Sequence, residues 1–421
     1  MLHREVLFAT HEEPPEGLIH FIASKDFSNV NFFPNITSSD SNYDFSNLEV
    51  YVNDTLTSQS ANSISASAND DIKIVATRGK YPWFGGNYKN SINYIREIVE
   101  PFPLMYDYRS NVTSFSYCFY YCSSLTSIPA GLFSNNPNVT SFRYCFERCS
   151  SLTTIPAGLF SNNPNVTSFN GCFYECSSLT SIPTGLFDNN PNVTSFRYCF
   201  ERCSSLTSIP TGLFDNCPNV TDFSSCFYYC SSLTSIPTGL FDNCPNVTDF
   251  SSCFYYCFSL TSIPTGLFDN CPNVTDFRYC FYYCSSLTSI PAGLFSNNPN
   301  VTSFRYCFER CSSLTSIPTG LFDNCPNVTD FSNCFVFCSG LTSIPEGLFS
   351  NNPNVTNFSE CFYYCSNLTP VVQIGSTASS VTVSDFAGRC RSKGTVYCKA
   401  GSAAYKAFNS STDANVNVLT Y

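Results

Sequence analysis

Charge is scarce in this chain. Only 12% of its 421 residues are Asp, Glu, Lys or Arg, the net charge is −11, and lysine and arginine never form a basic run. Nucleic acid and anionic bilayers both need a concentrated positive footprint, so both are argued against as partners. Long apolar runs are missing as well. No stretch approaches the roughly 18 residues of a membrane-spanning helix, and the N-terminus MLHREVLFATHEEPPEG has neither an apolar h-region nor a small-residue cleavage site. The expectation is a protein that stays where it is made, or leaves by lysis or within a larger particle. Histidine occurs only at His3, His11 and His20. A mixed Cys/His zinc site therefore has no support, and a general base would have to be a carboxylate or a cysteine. Walker-type and G-x-G-x-x-G loops are absent. No cofactor, metal or enzyme constellation is expected, and an enzyme could hide only in residues 1–86.

Cysteine, by contrast, is abundant, with 26 copies. Most recur as C-x3-C, from Cys118/Cys122 to Cys361/Cys365, beside recurring phenylalanines. Others sit one to a repeat at Cys217, Cys244, Cys271 and Cys325, where other repeats carry Asn136, Asn163, Asn190, Asn298 and Asn352. A position that accepts cysteine or asparagine is not an obligatory half-cystine. The reading is a buried, reduced thiol acting as a small core hydrophobe.

The triplet N-V-T begins ten repeats, stepping by 27 residues from Asn111 to Asn354. Such a period marks a solenoid, whose units bury their apolar faces only by stacking. In the first unit Phe115, Cys118, Phe119 and Cys122 fall at i, i+3, i+4 and i+7, which predicts a short helix. Leu125-Thr-Ser-Ile128, stopped by Pro129, predicts a brief strand. The N-V-T asparagines are expected to bond backbone amides in a ladder, satisfying buried polar groups, rather than to be glycosylated. Asp215, Asp242, Asp269 and Asp323 recur as D-N-C-P and suit turn duty better than calcium. Upstream, Ile95-Arg-Glu-Ile98 looks like a worn L-x-x-I-P. Downstream, Val381–Phe386 with Cys390 looks like a degraded eleventh unit, followed by a strand, a helix starting near Ala400 and a last strand.

The string C-F-x-x-C-S-S-L-T-S-I-P-x-G-L-F-x-N-x-P-N-V-T resembles the BspA-like leucine-rich repeats of bacterial surface proteins. Its unit is longer than the family's commonest unit, and the family's export signal is missing. Signal-less proteins with this repeat resemble structural proteins of tailed phages of gut Bacteroidetes. The resemblance implies an α/β repeat solenoid of leucine-rich-repeat type, built here of 27-residue units, and the strand-like runs LIHFIA, LEVYVN and DIKIVATR ahead of it suggest a small N-terminal β-rich domain. The expected parts are residues 1–86 as the β-rich domain and candidate anchor, 87–110 as N-terminal cap, 111–369 as the ten-unit solenoid, and 370–421 as C-terminal cap. It also implies a non-enzymatic appendage or decoration of a phage virion, located on the virion surface. The partners would be host-cell surface glycan or protein, other virion proteins through the N-terminal domain, and a second copy of the chain as a homo-oligomer. The alternative is a bacterial cell-surface adhesin.

Four positions per unit change while the Phe/Cys positions hold. They lie opposite the apolar stripe and would carry the ligand: Tyr117, Tyr120, Tyr121, Arg143, Tyr144, Arg148, Tyr228, Tyr229, Tyr255, Tyr256, Tyr279, Tyr282, Tyr283, Tyr363 and Tyr364. Tyrosine gives rigid amphipathic contact, and serine or asparagine adaptable hydrogen bonds. Sugar rings could lie on the aromatic faces. Two readings stand: a recognition surface, or tyrosines that tile the outside. Phe258, which replaces a serine of the other units, is expected to be partly exposed.

Overall fold

Residues 18–33, 45–77, 81–82, 84–85, 92–107 and 110–421 are described by the structure, a computed structural model. The N-terminal stretch read for export, and the expected onset of capping near residue 87, lie outside them. The chain forms two compact units, one reaching to Leu179 and including Gly185–Asn192, the other made of Thr180–Thr184 and Val193–Tyr421.

In the first unit, apolar alternation produces an antiparallel sheet of β1 (Ile19–Ala23), β3 (Leu48–Val52), β4 (Thr55–Leu56), β6 (Asp71–Ala76) and β8 (Ile95–Ile98), in the order β4-β3-β6-β1-β8. β2 (Phe27–Val30) pairs with β5 (Ile64–Ala66), and β7 (Tyr81–Pro82), β9 (Met105–Asp107) and β10 (Ser110–Asn111) form a third small sheet. Phe21 on β1 contacts Phe84 at 5.8 Å, Phe84 contacts Phe102 at 5.5 Å, and Phe102 contacts Phe115 and Phe119 at 5.9 Å. One aromatic core thus runs from the sheet into the first repeat. Gly85, at φ +137°, is required at this joint, because a Cβ there would stand 2.4 Å from the Cys118 Sγ. β8 also bonds the first repeat: the Thr126 N–H donates to the Arg96 carbonyl at 2.8 Å.

The repeats correct the helix expectation. Phe115, Cys118, Phe119 and Cys122 are all fully buried, as their spacing requires. The backbone that buries them is not helical but two four-residue turns in tandem. The Cys118 N–H donates to the Phe115 carbonyl at 3.2 Å, and the Cys122 N–H to that of Phe119 at 3.0 Å. The alternate amides reach the next repeat: those of Phe115, Tyr117, Phe119 and Tyr121 donate to the carbonyls of Ser141, Arg143, Cys145 and Glu147 at 2.7–3.0 Å. In the second unit Phe223, Ser225, Phe227 and Tyr229 do the same toward the following turn. An eight-residue segment is too short to hold an isolated helix, whereas stacking supplies each of these amides with a partner. Both turns place their third residue at positive φ, 61° at Tyr117 and 59° at Tyr121. Type II turns favour glycine there, so each such tyrosine or arginine costs about 1 kcal/mol that the ladder must offset.

The expected L-T-S-I strand shrinks to one rung per turn. The Thr234 N–H donates to the Thr207 carbonyl at 3.3 Å, and its Oγ1 donates to the same oxygen at 3.3 Å. Proline after the isoleucine removes the donor that would extend pairing. A second rung runs through N-V-T, where the Thr248 N–H donates to Thr221 at 2.9 Å. The α of the expected α/β class survives, among the described residues, only as a 3-10 turn at Phe45–Asn47 and as α1 (Ala403–Ser410), N-capped by Ser402, whose Oγ accepts the Tyr405 N–H at 3.0 Å. It lies between strands of a parallel sheet made of β11 (Val371–Ile374), β12 (Gly394–Cys398) and β13 (Val416–Thr420). Upstream of these, the amides of Phe358 and Phe362 donate to the carbonyls of Thr382 and Phe386, so the 381–390 segment stacks as another turn. Among the described residues, no helix is long and apolar enough to cross a membrane.

Candidate functional site

Two polar ladders inside the repeats account for part of the cysteine usage. In most C-x3-C pairs the second cysteine donates its thiol to a phenylalanine carbonyl of the preceding turn: Cys257 to Phe227 at 3.3 Å, Cys284 to Phe254 at 3.3 Å. At the Cys-or-Asn position, Asn298 Nδ2 donates to Phe268 at 3.1 Å and to Cys271 at 2.9 Å. Cys271 donates to the equivalent pair, Phe241 and Cys244, at 3.7 and 3.5 Å. Both residues thus serve one function, a small buried donor. All 26 cysteines are free thiols, and burial pushes most of those in the repeats up, to about 12 at Cys271 and Cys325. Such thiols are poor nucleophiles. The N-V-T asparagines also form a ladder, but an exposed one whose acceptors are carbonyls, as where Asn246 Nδ2 donates to Pro218 at 2.9 Å. The D-N-C-P aspartates close a turn, the Asp242 N–H donating to the Gly239 carbonyl at 3.1 Å. Among the described residues, no group of three or more His, Cys, Asp or Glu could hold a metal ion.

The predicted ligand residues point outward and form columns, because each turn repeats the same backbone. In the first unit Tyr117 stacks on Tyr144 at 5.3 Å, with Arg143 over Tyr144 at 5.2 Å. Tyr120 meets Tyr121 edge-on at 4.6 Å. Arg148 lies 4.4 Å over the Tyr121 ring and donates to Glu175 at 2.6 Å. In the second unit Tyr228, Tyr255 and Tyr282 stack at 4.5 and 4.4 Å, within 6° of parallel. Beside them Tyr229, Tyr256 and Tyr283 stack at 5.5 and 5.0 Å. Tyr279 stacks on Tyr306 at 4.6 Å. Further along, Tyr363 packs edge-on against Tyr364, which stacks on Phe337 at 4.8 Å.

This geometry changes what the tyrosines can offer. In the second-unit columns the inner rings face one another, so their faces are already covered and edges and hydroxyls remain. A sugar ring lying flat on those faces, as expected above, finds no room. Burial raises Tyr228, Tyr255 and Tyr282, the last to about 12, so their hydroxyls stay protonated donors.

Sequence reasoning missed several members. Phe258 is half-buried, as expected, but it also meets Tyr229, Tyr256 and Tyr283 edge-on at 5.6, 5.2 and 5.2 Å. Arg202 caps Tyr229 at 5.8 Å. Arg310 sits between Tyr283 at 5.4 Å and Phe337 at 4.6 Å. Their signal was present in the recurring phrase Y-C-F-E-R-C, which places Glu-Arg where neighbouring turns have Tyr-Tyr. One further charged cluster lies on the N-terminal sheet. There His20 Nε2 is 2.9 Å from Asp71 Oδ1, and Lys73 pairs with Asp54.

The class these features define is a repeat solenoid whose turns carry a fixed apolar interior and a variable polar-aromatic exterior. The family model described as "Mycoplasma protein of unknown function, DUF285" matches residues 105–213, 158–266, 194–317, 221–347 and 264–373, and the chain belongs to that family. No curated protein matches it. Among solved structures, a chain of "Crystal structure of TLR13-ssRNA13 complex" is 12% identical, with 60% of this chain and 55% of that one covered and a TM-score of 0.11. This chain thus spans about half of that one, and the likeness is too slight to bear on it.

Proposed function

We propose that the chain is a non-enzymatic surface protein of a phage virion, binding a host-cell glycan or protein through its outward columns. On this reading ten 27-residue leucine-rich-repeat-like units follow a β-rich head that attaches to other virion proteins. The observation that carries it is the contrast within each turn. Inward positions hold to Phe and Cys, while outward ones run through Tyr, Ser, Arg, Asn and Glu on a backbone that accepts them all. Recognition then works through phenol hydroxyls, ring edges and guanidinium groups, which suit polar ligands.

The test is a variant carrying Tyr229→Ser, Tyr256→Ser and Tyr283→Ser. Binding of the labelled protein to gut Bacteroidetes cells is read by flow cytometry, beside its thermal unfolding. Loss of these anchors is expected to lower cell binding about tenfold or more while the chain still folds cooperatively. Undiminished binding by the folded variant overturns the assignment.

A further inference from the structure

The parallel sheet that follows the repeats has an open edge. A bridge from Phe349 to Ile374 ties β11 to the preceding turn, and β12 and β13 follow it in parallel register, so β13 is the outermost strand. Only one side of β13 is used. The Gly394 N–H donates to the Asn415 carbonyl at 3.0 Å, and the Tyr421 N–H to that of Cys398 at 3.3 Å. Because Cys398 is in register with Thr420, the odd-numbered residues turn their backbone groups toward β12. Those of Val416, Val418 and Thr420 face the open side, where nothing among the described residues pairs with them.

Open edges are usually guarded by shortness, proline, lysine, a bulge or a covering segment. β4, one edge of the N-terminal sheet, has only two residues, and the opposite edge, β8, is bonded by the first repeat. β13 has none of these guards. It runs for five residues as V-N-V-L-T, in unbroken register with β12. Its outward face carries Asn417 and Leu419, with Tyr421 just beyond, and continues onto Thr395 and Tyr397 of β12 and Gln373 of β11. Leu419 and Tyr421 are 48% and 57% exposed, which leaves apolar surface for a partner to cover. No residue of that face is charged, in a chain whose net charge is −11.

We propose that β13 is a docking edge for a second copy of this chain, the two β13 strands pairing antiparallel about Val418. The register follows from which groups are open. With Val418 facing Val418 and Val416 facing Thr420, every open N–H and C=O of both strands finds a partner. Asn417 of one copy then lies directly opposite Leu419 of the other, where cross-strand side chains are closest. Two features select a second copy as the occupant. The open pattern is its own complement, and two uncharged faces meet without the repulsion that acidic surfaces would impose. The contact is small, so association is weak, with a Kd expected at about 10–100 µM. The tyrosine columns take no part in it, so the docking edge and the recognition surface fail separately.

Sedimentation velocity of the full chain, from about 5 to about 500 µM, reads the assembly. The wild type is expected to pass from monomer to dimer across this range, and a monomer throughout overturns the proposal. Asn417→Lys with Leu419→Lys sets lysines directly opposite one another and should weaken association about tenfold or more. Asn417→Asp with Leu419→Asp should do the same. All these replaced side chains are exposed, so the fold is spared. An equimolar mixture of the two variants places lysine opposite aspartate, and the dimer should return. Undiminished dimer in either variant alone, or none in the mixture, overturns antiparallel pairing at β13. Amide hydrogen exchange of the wild type, resolved by NMR, needs no variant. The Val418 amide should exchange several-fold more slowly at the highest concentration than at the lowest, while that of Leu419, bonded to β12, changes little. Exchange at Val418 that ignores concentration overturns the docking edge, and this arm decides alone should the variants fail to fold.

Discussion

The inner and outer columns of the second unit stack alike, yet they answer to different constraints. Phe227, Phe254 and Phe281 stand 5.7 and 5.6 Å apart and nearly parallel, as Tyr228, Tyr255 and Tyr282 do at 4.5 and 4.4 Å on the outside. Stacking is therefore a product of the repeated backbone and does not by itself mark a core. What separates the columns is closure. Phe254 is completely buried, and a change of volume there has nowhere to go. Tyr256 has solvent on one side, and the only demand its turn makes is tolerance of φ +59°. The inside is thus written once and copied, while the outside is free to carry information.

Truncating the inner column is the most severe way to break that comparison. Phe254→Ala would remove contacts to Phe227, Phe281 and Phe241 together. The expected loss is about 3–5 kcal/mol, measured by chemical denaturation, with the lower figure reached only if the neighbouring turns collapse into the gap. A loss no larger than that of an outer tyrosine would show that the columns are energetically equivalent.

Tyr256→Ser probes the outer column. It gives up stacking on Tyr229 and Tyr283 and the edge contact with Phe258, but no closed cavity forms. About 0.5–1.5 kcal/mol is expected, measured by the same denaturation. A larger loss would favour tiling as the main duty of the tyrosines.

The sequence made the inward set legible and left the backbone ambiguous, for one physical reason. Phe115, Cys118, Phe119 and Cys122 satisfy the spacing of one helical face, and two tandem four-residue turns satisfy it equally. Periodicity reports which side chains share a face, not which hydrogen bonds put them there. The deciding bonds run from each turn to the next, some 26 residues away, beyond the reach of any local pattern. Composition did hold a hint, since Phe, Tyr and Cys are indifferent helix formers. The outward positions were legible for the same reason as the inward ones. Their mutual stacking was not, because it depends on the spacing between turns. The C-terminal strands show the proline effect in reverse: V-V-Q-I, G-T-V-Y-C and V-N-V-L-T contain none, and β11, β12 and β13 pair over four and five residues where the proline-stopped repeats make a single rung.

The gentlest test exchanges the two small donors of the interior. Asn298 and Cys271 serve equivalent carbonyl pairs, the amide with the shorter bonds at 3.1 and 2.9 Å, the thiol at 3.7 and 3.5 Å. The amide's advantage is offset, because Asn298 Oδ1 is buried and accepts no hydrogen bond from the protein, a liability the thiol lacks. Asn298→Cys should therefore shift stability by less than about 1 kcal/mol, whereas Asn298→Ala, which removes both donors and leaves a gap, should cost about 1–3 kcal/mol. Chemical denaturation of the two variants side by side checks this. If cysteine and alanine prove equally damaging, the thiol is only filler, and the hydrogen-bonding account of the cysteine-rich interior fails. If cysteine matches asparagine, the chain's mixed use of the two residues follows from a single requirement: a buried donor small enough to fit between one turn and the next.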